Sequence, residues 1–326
     1  MSTTPTDVPR TDRKPRPRLL HGLNWLVVRQ HRASMIAVLA MIVLGSIWIV
    51  HYRGQMHDLL TAAGWPDKPL AAGEVYPPGY DYAVNALSVL PVVLAVFVGA
   101  PLISADQENG TAQLVTTQSV SRRRWLTSKL FWSYLLVIVC ATVISAFFTW
   151  WWKPYHDLMP HQWFDGPVFD NTGPMLPAFC LFLTAAGITI GLLVRRVLMS
   201  MVVTFVFAVA VETVWSPLRQ FLGSPRMTSY PLDAEAPSKL DNTWELDRWI
   251  SDSDGRLFGW GHCTTKMPTE AAHDACIKEN GIVDNVVKYL GYDQMSAMQW
   301  TGAGFLLLAT VALTAFTLWR ASRRPL

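Results

Sequence analysis

Residues 174–215 read PMLPAFCLFLTAAGITIGLLVRRVLMSMVVTFVFAVAVETVW, and this stretch decides the fold class of the chain. It contains two apolar runs, Pro174–Val194 and Val197–Trp215, which are separated only by Arg195 and Arg196. Each run has about the 20 residues that a helix needs to cross the hydrocarbon core of a bilayer. The stretch therefore predicts two membrane helices joined by a tight turn.

The rest of the chain repeats this pattern. Of its 326 residues, 51% are hydrophobic and only 16% are charged, whereas soluble domains have about a quarter of charged residues. The short segments of alternating hydrophobicity that are typical of a membrane barrel are absent. We therefore expect an all-α polytopic membrane protein with six transmembrane helices, the other four being Ala33–Tyr52, Ala86–Ala105, Lys129–Trp152 and Met298–Trp319.

The distribution of Lys and Arg predicts that both termini are cytoplasmic and that the chain lies in the cell membrane. With this orientation, the cytoplasmic segments carry 16 of these residues and the two short outer loops carry 3. The other 8 lie in the 82-residue segment 216–297, and long segments cross a membrane largely regardless of charge. The net charge of +3 reflects this inner bias and gives no indication of nucleic-acid binding.

The sequence predicts five regions along the chain. Residues 1–18, rich in Pro and Arg, predict a disordered cytoplasmic tail. Residues 19–32 have a broad apolar face and predict an interfacial helix, the alternative being a cytoplasmic extension of the first span. Residues 33–215 hold transmembrane helices 1–5, residues 216–297 form an extracellular loop domain, and residues 298–326 hold helix 6 and a cytoplasmic tail.

The loop domain is marginal in size for an independent fold, so we expect it to lean on the membrane helices. Apolar residues at positions 282, 283, 286, 287 and 290 predict a helix over Ile282–Leu290. The domain also holds Cys263 and Cys276, thirteen positions apart. Outside the cytoplasm a disulfide is the favoured state of such a pair, and the alternatives are a zinc site with His262 and His273 or two free thiols.

Few other polar residues suggest a site. Glu212 lies inside the fifth apolar run, near its outer end, where an outer-interface structural role is favoured over a proton relay. His156, Asp157, His161 and Asp165 have a spacing that permits metal binding, but solvated polar residues in an irregular loop are the favoured interpretation.

The sequence contains no phosphate-binding loop, no nucleophile elbow and no His-Glu-x-x-His zinc motif. We therefore expect no catalytic activity and no cofactor in this chain. Any energy that it uses must come from a partner.

The polar segment after the second run carries the strongest functional signal. In order, it contains Asp106, Glu108, Gly110-Thr111, Thr117-Gln-Ser-Val-Ser-Arg-Arg-Arg-Trp125 and Lys129. This pattern resembles the permease subunits of type-2 ABC exporters, particularly those of actinobacteria. Met298-Gln-Trp300, the six-span layout and the Arg-rich tail are similar to that family as well.

The resemblance implies a mechanism that depends on partners. Two permease chains, identical or different, would pair within the membrane lipid and bind two cytoplasmic ABC ATPase subunits. The interfacial helix and a short coupling helix after the second span would contact the ATPases, and the 216–297 loop would form an outer lid. The expected coupling residues are Glu108, Gly110, Thr111, Arg122, Arg124 and Trp125.

The sequence thus predicts the permease subunit of an ABC exporter, with ATP hydrolysed by separate subunits. A drug, an antibiotic or another lipophilic or amphipathic compound is the expected cargo. One alternative is a membrane-anchored binding or sensing protein with the 216–297 loop as its ligand domain. Another is a membrane enzyme that uses the outer His and Asp residues. Neither accounts for the pattern between Glu108 and Lys129.

Overall fold

The computed structural model describes residues 29, 32–71, 73–76, 79–110, 121–264 and 269–323. The predicted tail at 1–18, nearly all of the predicted interfacial helix at 19–32, and Thr111 lie outside this part of the chain. The described residues form six helices that are long and apolar enough to cross a membrane, and we number them spans 1–6: Arg32–Ala62, Tyr80–Glu108, Arg122–Tyr155, Met175–Val194, Val197–Leu222 and Tyr292–Arg323.

Five of the described spans extend beyond the predicted apolar runs, because polar and charged residues continue the helices at their ends, whereas span 4 matches its run to within one residue. The α-helices in chain order are α1 (Arg32–Ala62), α2 (Tyr80–Leu94), α3 (Pro101–Glu108), α4 (Arg122–Trp152), α5 (Gly166–Phe169), α6 (Met175–Val194), α7 (Val197–Leu218), α8 (Glu270–Glu279) and α9 (Met295–Arg323).

A π-helical turn, Ala95–Gly99, joins α2 to α3 within span 2. The amide of Ala100 donates to the carbonyl of Ala95 over 2.8 Å, which makes this turn wider than an α-helical one. Pro101 follows directly as the first residue of α3. A proline has no N–H group, and in an α-helix its ring clashes with the carbonyl four residues earlier. A local change in helical pitch relieves this clash.

Span 4 is the most buried of the six described spans, and glycines let span 2 approach it closely. A Cβ atom on Gly187 would lie 2.6 Å from the carbonyl oxygen of Ala95, and one on Gly191 would collide with the carbonyl oxygen of Ala100. From the other side, a Cβ atom on Gly99 would lie 2.7 Å from the Thr184 carbonyl oxygen. Small residues at these positions therefore set the distance between the two helices.

Between spans 5 and 6 lies a four-stranded antiparallel sheet, and we call residues 226–291 the β-module. The spatial order is β1-β4-β2-β3. A disulfide joins Cys263, which precedes α8, to Cys276 within α8. It lies in a small core with Ile250 and Ile282. The strands are β1 (Arg226–Pro231), β2 (Thr243–Asp252), β3 (Leu257–Gly259) and β4 (Ile282–Gly291).

The helix predicted over Ile282–Leu290 is wrong, because this segment is the inner strand β4. The all-α prediction describes the spans and does not extend to the β-module. β4 pairs with β1 on one edge and with β2 on the other, and it is buried on both faces. Its apolar residues come in adjacent pairs at 282/283, 286/287 and 289/290, and this spacing imitates a helical period over nine residues.

The β-module leans on the end of the bundle opposite Arg195. The indole N–H of Trp163 donates to the carbonyl of Asn242 over 3.0 Å. The rings of Phe164 and Trp244 lie 5.1 Å apart between centroids. Leu290 of β4 is fully buried in the core cluster of the spans. The segment between spans 3 and 4 and the core of the spans thus both support the module.

The close approach of spans 2 and 4 gives a direct test. Gly191→Ala should destabilise the protein by about 1–3 kcal/mol, because the added methyl group collides with the span 2 backbone. Gly304→Ala in span 6 is the matched control, since its Cβ would meet no atom within 4 Å. Thermal unfolding in detergent measures both, and equal unfolding midpoints for the two variants would contradict this packing.

Candidate functional site: the charged end of the bundle

Successive spans alternate in direction, so the end of span 2, the start of span 3, the span 4–5 turn and the end of span 6 meet at one end of the bundle. We call this the charged end. It carries most of the basic residues of the bundle, and the exposed ones among the described residues include Arg122, Arg123, Arg124, Arg195, Arg196 and Arg323.

A buried ion pair joins spans 2 and 3 just inside this end. The Nζ of Lys129 donates to the carboxylate of Asp106 and, over 3.3 Å, to the carbonyl of Leu102. It also lies 4.7 Å from the centroid of the Trp125 ring. Lys129 is 1% exposed and Asp106 is 5% exposed. A buried charge is costly without its partner, so the pair holds the two helices in one register.

Glu108 joins span 2 to span 5. Its Oε2 accepts a hydrogen bond of 2.7 Å from the amide of Val197, the first residue of α7. Such an amide has no partner within its own helix, and a carboxylate at a helix N-terminus also interacts favourably with the helix dipole. The hydroxyl oxygens of Ser104 and Ser200, 3.2 Å apart, add a second contact between the same spans.

The span 4–5 turn presents Val197 to this contact. Arg195 ends α6 in the left-handed conformation, with φ of 61°, and Arg196 is extended. The predicted tight hairpin is therefore present, and it takes only two residues. Because both arginine side chains are exposed, the turn adds positive charge beside Glu108.

The other predicted coupling residues differ in exposure. Arg122 and Arg124 are exposed in the first turn of α4, where the Ser121 hydroxyl caps the helix by accepting from the Arg124 amide over 3.4 Å. Gly110 is exposed and left-handed, with φ of 68°, just after span 2. Trp125 is buried in a core cluster with Leu102 and Leu126, so it supports the charged end and offers no exposed surface to a partner.

Asp106 and Lys129 stand at the two ends of the polar segment identified from the sequence, but they are not among the predicted coupling residues. The available signal was an acid and a lysine at the ends of two consecutive apolar runs. Ionisable residues at such depth are costly and therefore usually paired or functional. Their mutual contact, however, depends on the packing of spans 2 and 3, which the sequence does not give.

At the opposite end, Glu212 lines a cavity of about 290 Å³ together with Asp170, Trp215 and Arg219. A guanidinium nitrogen of Arg219 lies 3.3 Å from the Asp170 carboxylate, and the Trp215 indole donates to the same carboxylate over 2.9 Å. Removal from water raises the pKa of Asp170 to about 6, against the opposing effect of the Arg219 charge. This cluster joins span 5 to the segment before span 4.

The structure does not arrange the candidate metal ligands of the outer segments as a metal site. The Cys263 and Cys276 sulfurs are bonded to each other and so are not free as thiolate ligands, and the His262 ring packs on Phe258 at 5.1 Å. In the part of the chain that the structure describes, no three His, Cys, Asp or Glu side chains are placed to hold a metal ion.

Comparison with known proteins identifies the transmembrane part. Residues 36–219 match the family described as ABC-2 membrane transporter related. The chain belongs to this family. The match covers more than half of the chain, from span 1 to Arg219, and includes the contacts of Asp106, Glu108 and Lys129. No curated protein and no solved structure matches the chain.

Together with six apolar helices, the ABC-2 match makes the chain a membrane-embedded permease subunit of a transporter. The ABC-2 match ends before the β-module, which begins at Arg226. The charged end therefore belongs largely to the part that the chain shares with its family.

The buried pair predicts a rescue experiment. Lys129→Met should destabilise the ABC-2 permease by roughly 3–5 kcal/mol, because it leaves the Asp106 carboxylate buried without its ammonium partner. The double variant Asp106→Leu/Lys129→Met should recover most of this loss, since no charge is then left behind. Expression level and thermal unfolding of the three proteins decide the matter, and a double variant less stable than Lys129→Met would rule out the pair as the cause.

Proposed function

We propose that this permease is the membrane half of an ATP-driven exporter and that ATPase subunits act on its charged end. The observation that carries the proposal is the linkage of spans 2, 3 and 5 by Asp106–Lys129 and Glu108–Val197. In the sequence, Glu108 and Arg122 stand on either side of the polar segment, and each lies close to one of these contacts. A force on that segment would thus reach three spans together.

The surface chemistry of the charged end suits a protein partner. Arg122 and Arg124 are exposed at the start of α4, and the buried Trp125 and Lys129 directly below them hold that helix in place. Exposed arginines on a rigid base are frequent anchors in protein interfaces, because the guanidinium group offers several directed donors. We propose these two arginines as contacts with the ATPase, with Glu108 as the positioning residue.

The proposed assembly has two permease chains and two ATPases. Spans 1 and 5 are the least buried of the described spans. Their apolar side chains, such as Leu198 at 73% and Val206 at 60% exposure, are available to lipid or to a second permease chain. Closure of the ATPases would then move the spans as rigid bodies, which is a common form of switching.

The proposal includes the direction of transport and the class of compound that is transported. With the charged end in the cytoplasm, as the distribution of Lys and Arg favours, the β-module lies outside the cell. An outer location suits the Cys263–Cys276 disulfide, because thiol pairs there are readily oxidised. The β-module would then be the outer lid, and the cargo a lipophilic or amphipathic compound moved outward.

The sensing alternative assigns the function to the β-module. The family match, however, covers spans 1–4 and most of span 5, and it ends before the module. The enzyme alternative relied on outer His and Asp residues. In the structure the His156 ring stacks on Tyr292 at 4.8 Å, and the Asp165 carboxylate accepts from the Gln162 amide over 2.8 Å. These are structural roles, so the exporter remains the best-supported proposal.

Charge reversal tests the partner contact. Arg122→Glu/Arg124→Glu should abolish capture of an ATPase with a phosphate-binding loop when the tagged permease is purified from its native membranes. Mass spectrometry identifies the captured ATPase. The thermal unfolding of this variant should stay close to that of the wild type, because both side chains are exposed.

The matched control reverses two exposed charges at the other end of the molecule, Lys239→Glu/Lys278→Glu in the β-module. It should capture the ATPase as the wild type does. Wild-type permease that captures no such ATPase, or an arginine variant that still captures it fully, would refute the proposed contact.

Labelling of introduced cysteines tests the orientation. Ser238→Cys, in the β-module, should react in intact cells with a maleimide that cannot cross the membrane. Ser322→Cys, at the end of span 6, should react only after permeabilisation. Both positions are exposed, and the native Cys140 and Cys180 are buried, so background labelling should be low. The reverse pattern would place the charged end outside and exclude the proposed exporter.

A further inference from the structure

Two grooves open side by side on the half of the bundle nearest the β-module. The larger, of about 800 Å³, lies between spans 3, 4 and 6, and the smaller, of about 450 Å³, lies along span 3. They share Thr142, Thr149, Lys153 and Gly173. We propose that the two grooves bind the two acyl chains of an anionic phospholipid, with its phosphate at Lys153.

The dimensions suit a lipid within one leaflet. On span 3 the larger groove extends from Ile138 to Lys153, and on span 6 from Met295 to Leu307. At 1.5 Å of rise per residue, these stretches are roughly 20 Å long. One leaflet contributes about half of a hydrocarbon core about 30 Å thick. An acyl chain whose headgroup lies at Lys153 would therefore contact the groove along its whole length.

The walls are mainly apolar, and two of their polar side chains, Gln299 and Thr149, are engaged in hydrogen bonds within the protein. The Gln299 amide donates to the carbonyl of Phe169 over 2.9 Å and to the hydroxyl of Thr172 over 2.8 Å. The Thr149 hydroxyl donates to the Ser145 carbonyl over 2.7 Å and accepts from the Gly173 amide over 3.2 Å. An acyl chain can cover these groups without leaving a donor or acceptor unpaired.

The charge at the rim specifies the headgroup. Lys153 is exposed at the end of α4 and forms no ion pair with a carboxylate of the described residues. Asp293, the one acid on the rim, is occupied by Arg226, whose nitrogens lie 3.0 and 2.7 Å from its carboxylate oxygens. Among the residues that line the two grooves, the rim therefore offers an ammonium group and no free carboxylate, which favours a phosphate without a compensating cation.

The aromatic side chains place this rim at the membrane surface. Trp152, Tyr292 and Trp300 line the upper part of the larger groove, and Trp and Tyr concentrate at membrane–water interfaces. A lysine at the end of a span extends its amine towards the headgroups. The lipid site does not depend on the ATPase partner or on transport. Its test is therefore independent of the test of the proposed function.

The test uses the purified full-length chain in mild detergent. Added phosphatidylglycerol should raise the midpoint of thermal unfolding by several degrees, since a ligand that binds only the folded state stabilises it. Phosphatidylcholine with the same acyl chains should raise it much less. Lysophosphatidylglycerol, which has one chain, should also have a smaller effect. Native mass spectrometry should show one phosphatidylglycerol retained per chain.

Two variants separate the headgroup from the grooves. Lys153→Gln should reduce the phosphatidylglycerol response to the phosphatidylcholine level, whereas Lys68→Gln, an exposed lysine away from the grooves, should keep the full response. Thr142→Trp should block both grooves and abolish the response to either lipid. Its control, Val139→Trp, changes a residue of the same span that is 44% exposed and lines neither groove.

Equal responses of the wild type to phosphatidylglycerol and phosphatidylcholine would overturn the proposal, as would an undiminished response of Lys153→Gln. If Thr142→Trp does not fold, the lysine pair of variants still decides the headgroup. A lysophosphatidylglycerol effect equal to that of phosphatidylglycerol would overturn the two-chain assignment.

Discussion

The buried contact between Asp106 and Lys129 is the constraint on which the charged end depends. Each group alone would be costly in a membrane helix, and together they satisfy each other where water is excluded. Lys129 also donates to the Leu102 carbonyl and lies against Trp125. The position of α3 relative to the start of α4 is therefore set by hydrogen bonds as well as by apolar packing, which is less directional.

Two further features extend this constraint to spans 4 and 5. Glu108 binds the first amide of α7, and Gly187 and Gly191 let span 4 pack directly on the backbone of span 2. Span 2 is thus connected to three neighbours by three kinds of contact: an ion pair, a helix cap and a close backbone approach. We infer that the charged ends of these spans move together.

The opposite end is built differently. There, aromatic rings connect the segment between spans 3 and 4 to the β-module and to the start of span 6, and a partly buried cluster around Asp170 and Arg219 joins the same segment to span 5. Contacts between rings depend less on exact direction than an ion pair does, so this end is less tightly constrained than the charged end. The molecule has a closely tied end where we propose that force enters, and a broader, grooved end beneath the module.

The sequence predicted the features that depend on local composition. The six spans, the two-residue turn at Arg195 and the charges that surround it follow from runs of apolar residues and the position of arginines. β4 was misread because burial on both faces removes the alternation that distinguishes a strand from a helix. The pairing of Asp106 with Lys129, the contact of Glu108 with Val197 and the grooves at Lys153 depend on which spans are neighbours, and no local pattern contains that information.

A distance measurement within the charged end tests the central claim most directly. Spin labels at Asn109→Cys, after span 2, and Thr127→Cys, in span 3, both occupy exposed positions. Pulsed electron–electron double resonance should give one narrow distance distribution between the two labels. This distribution should not change when the ATPase-bound permease receives ATP, because the Asp106–Lys129 pair holds the two helix ends together. A distribution that broadens or shifts on ATP addition would show that spans 2 and 3 separate, and would contradict the account.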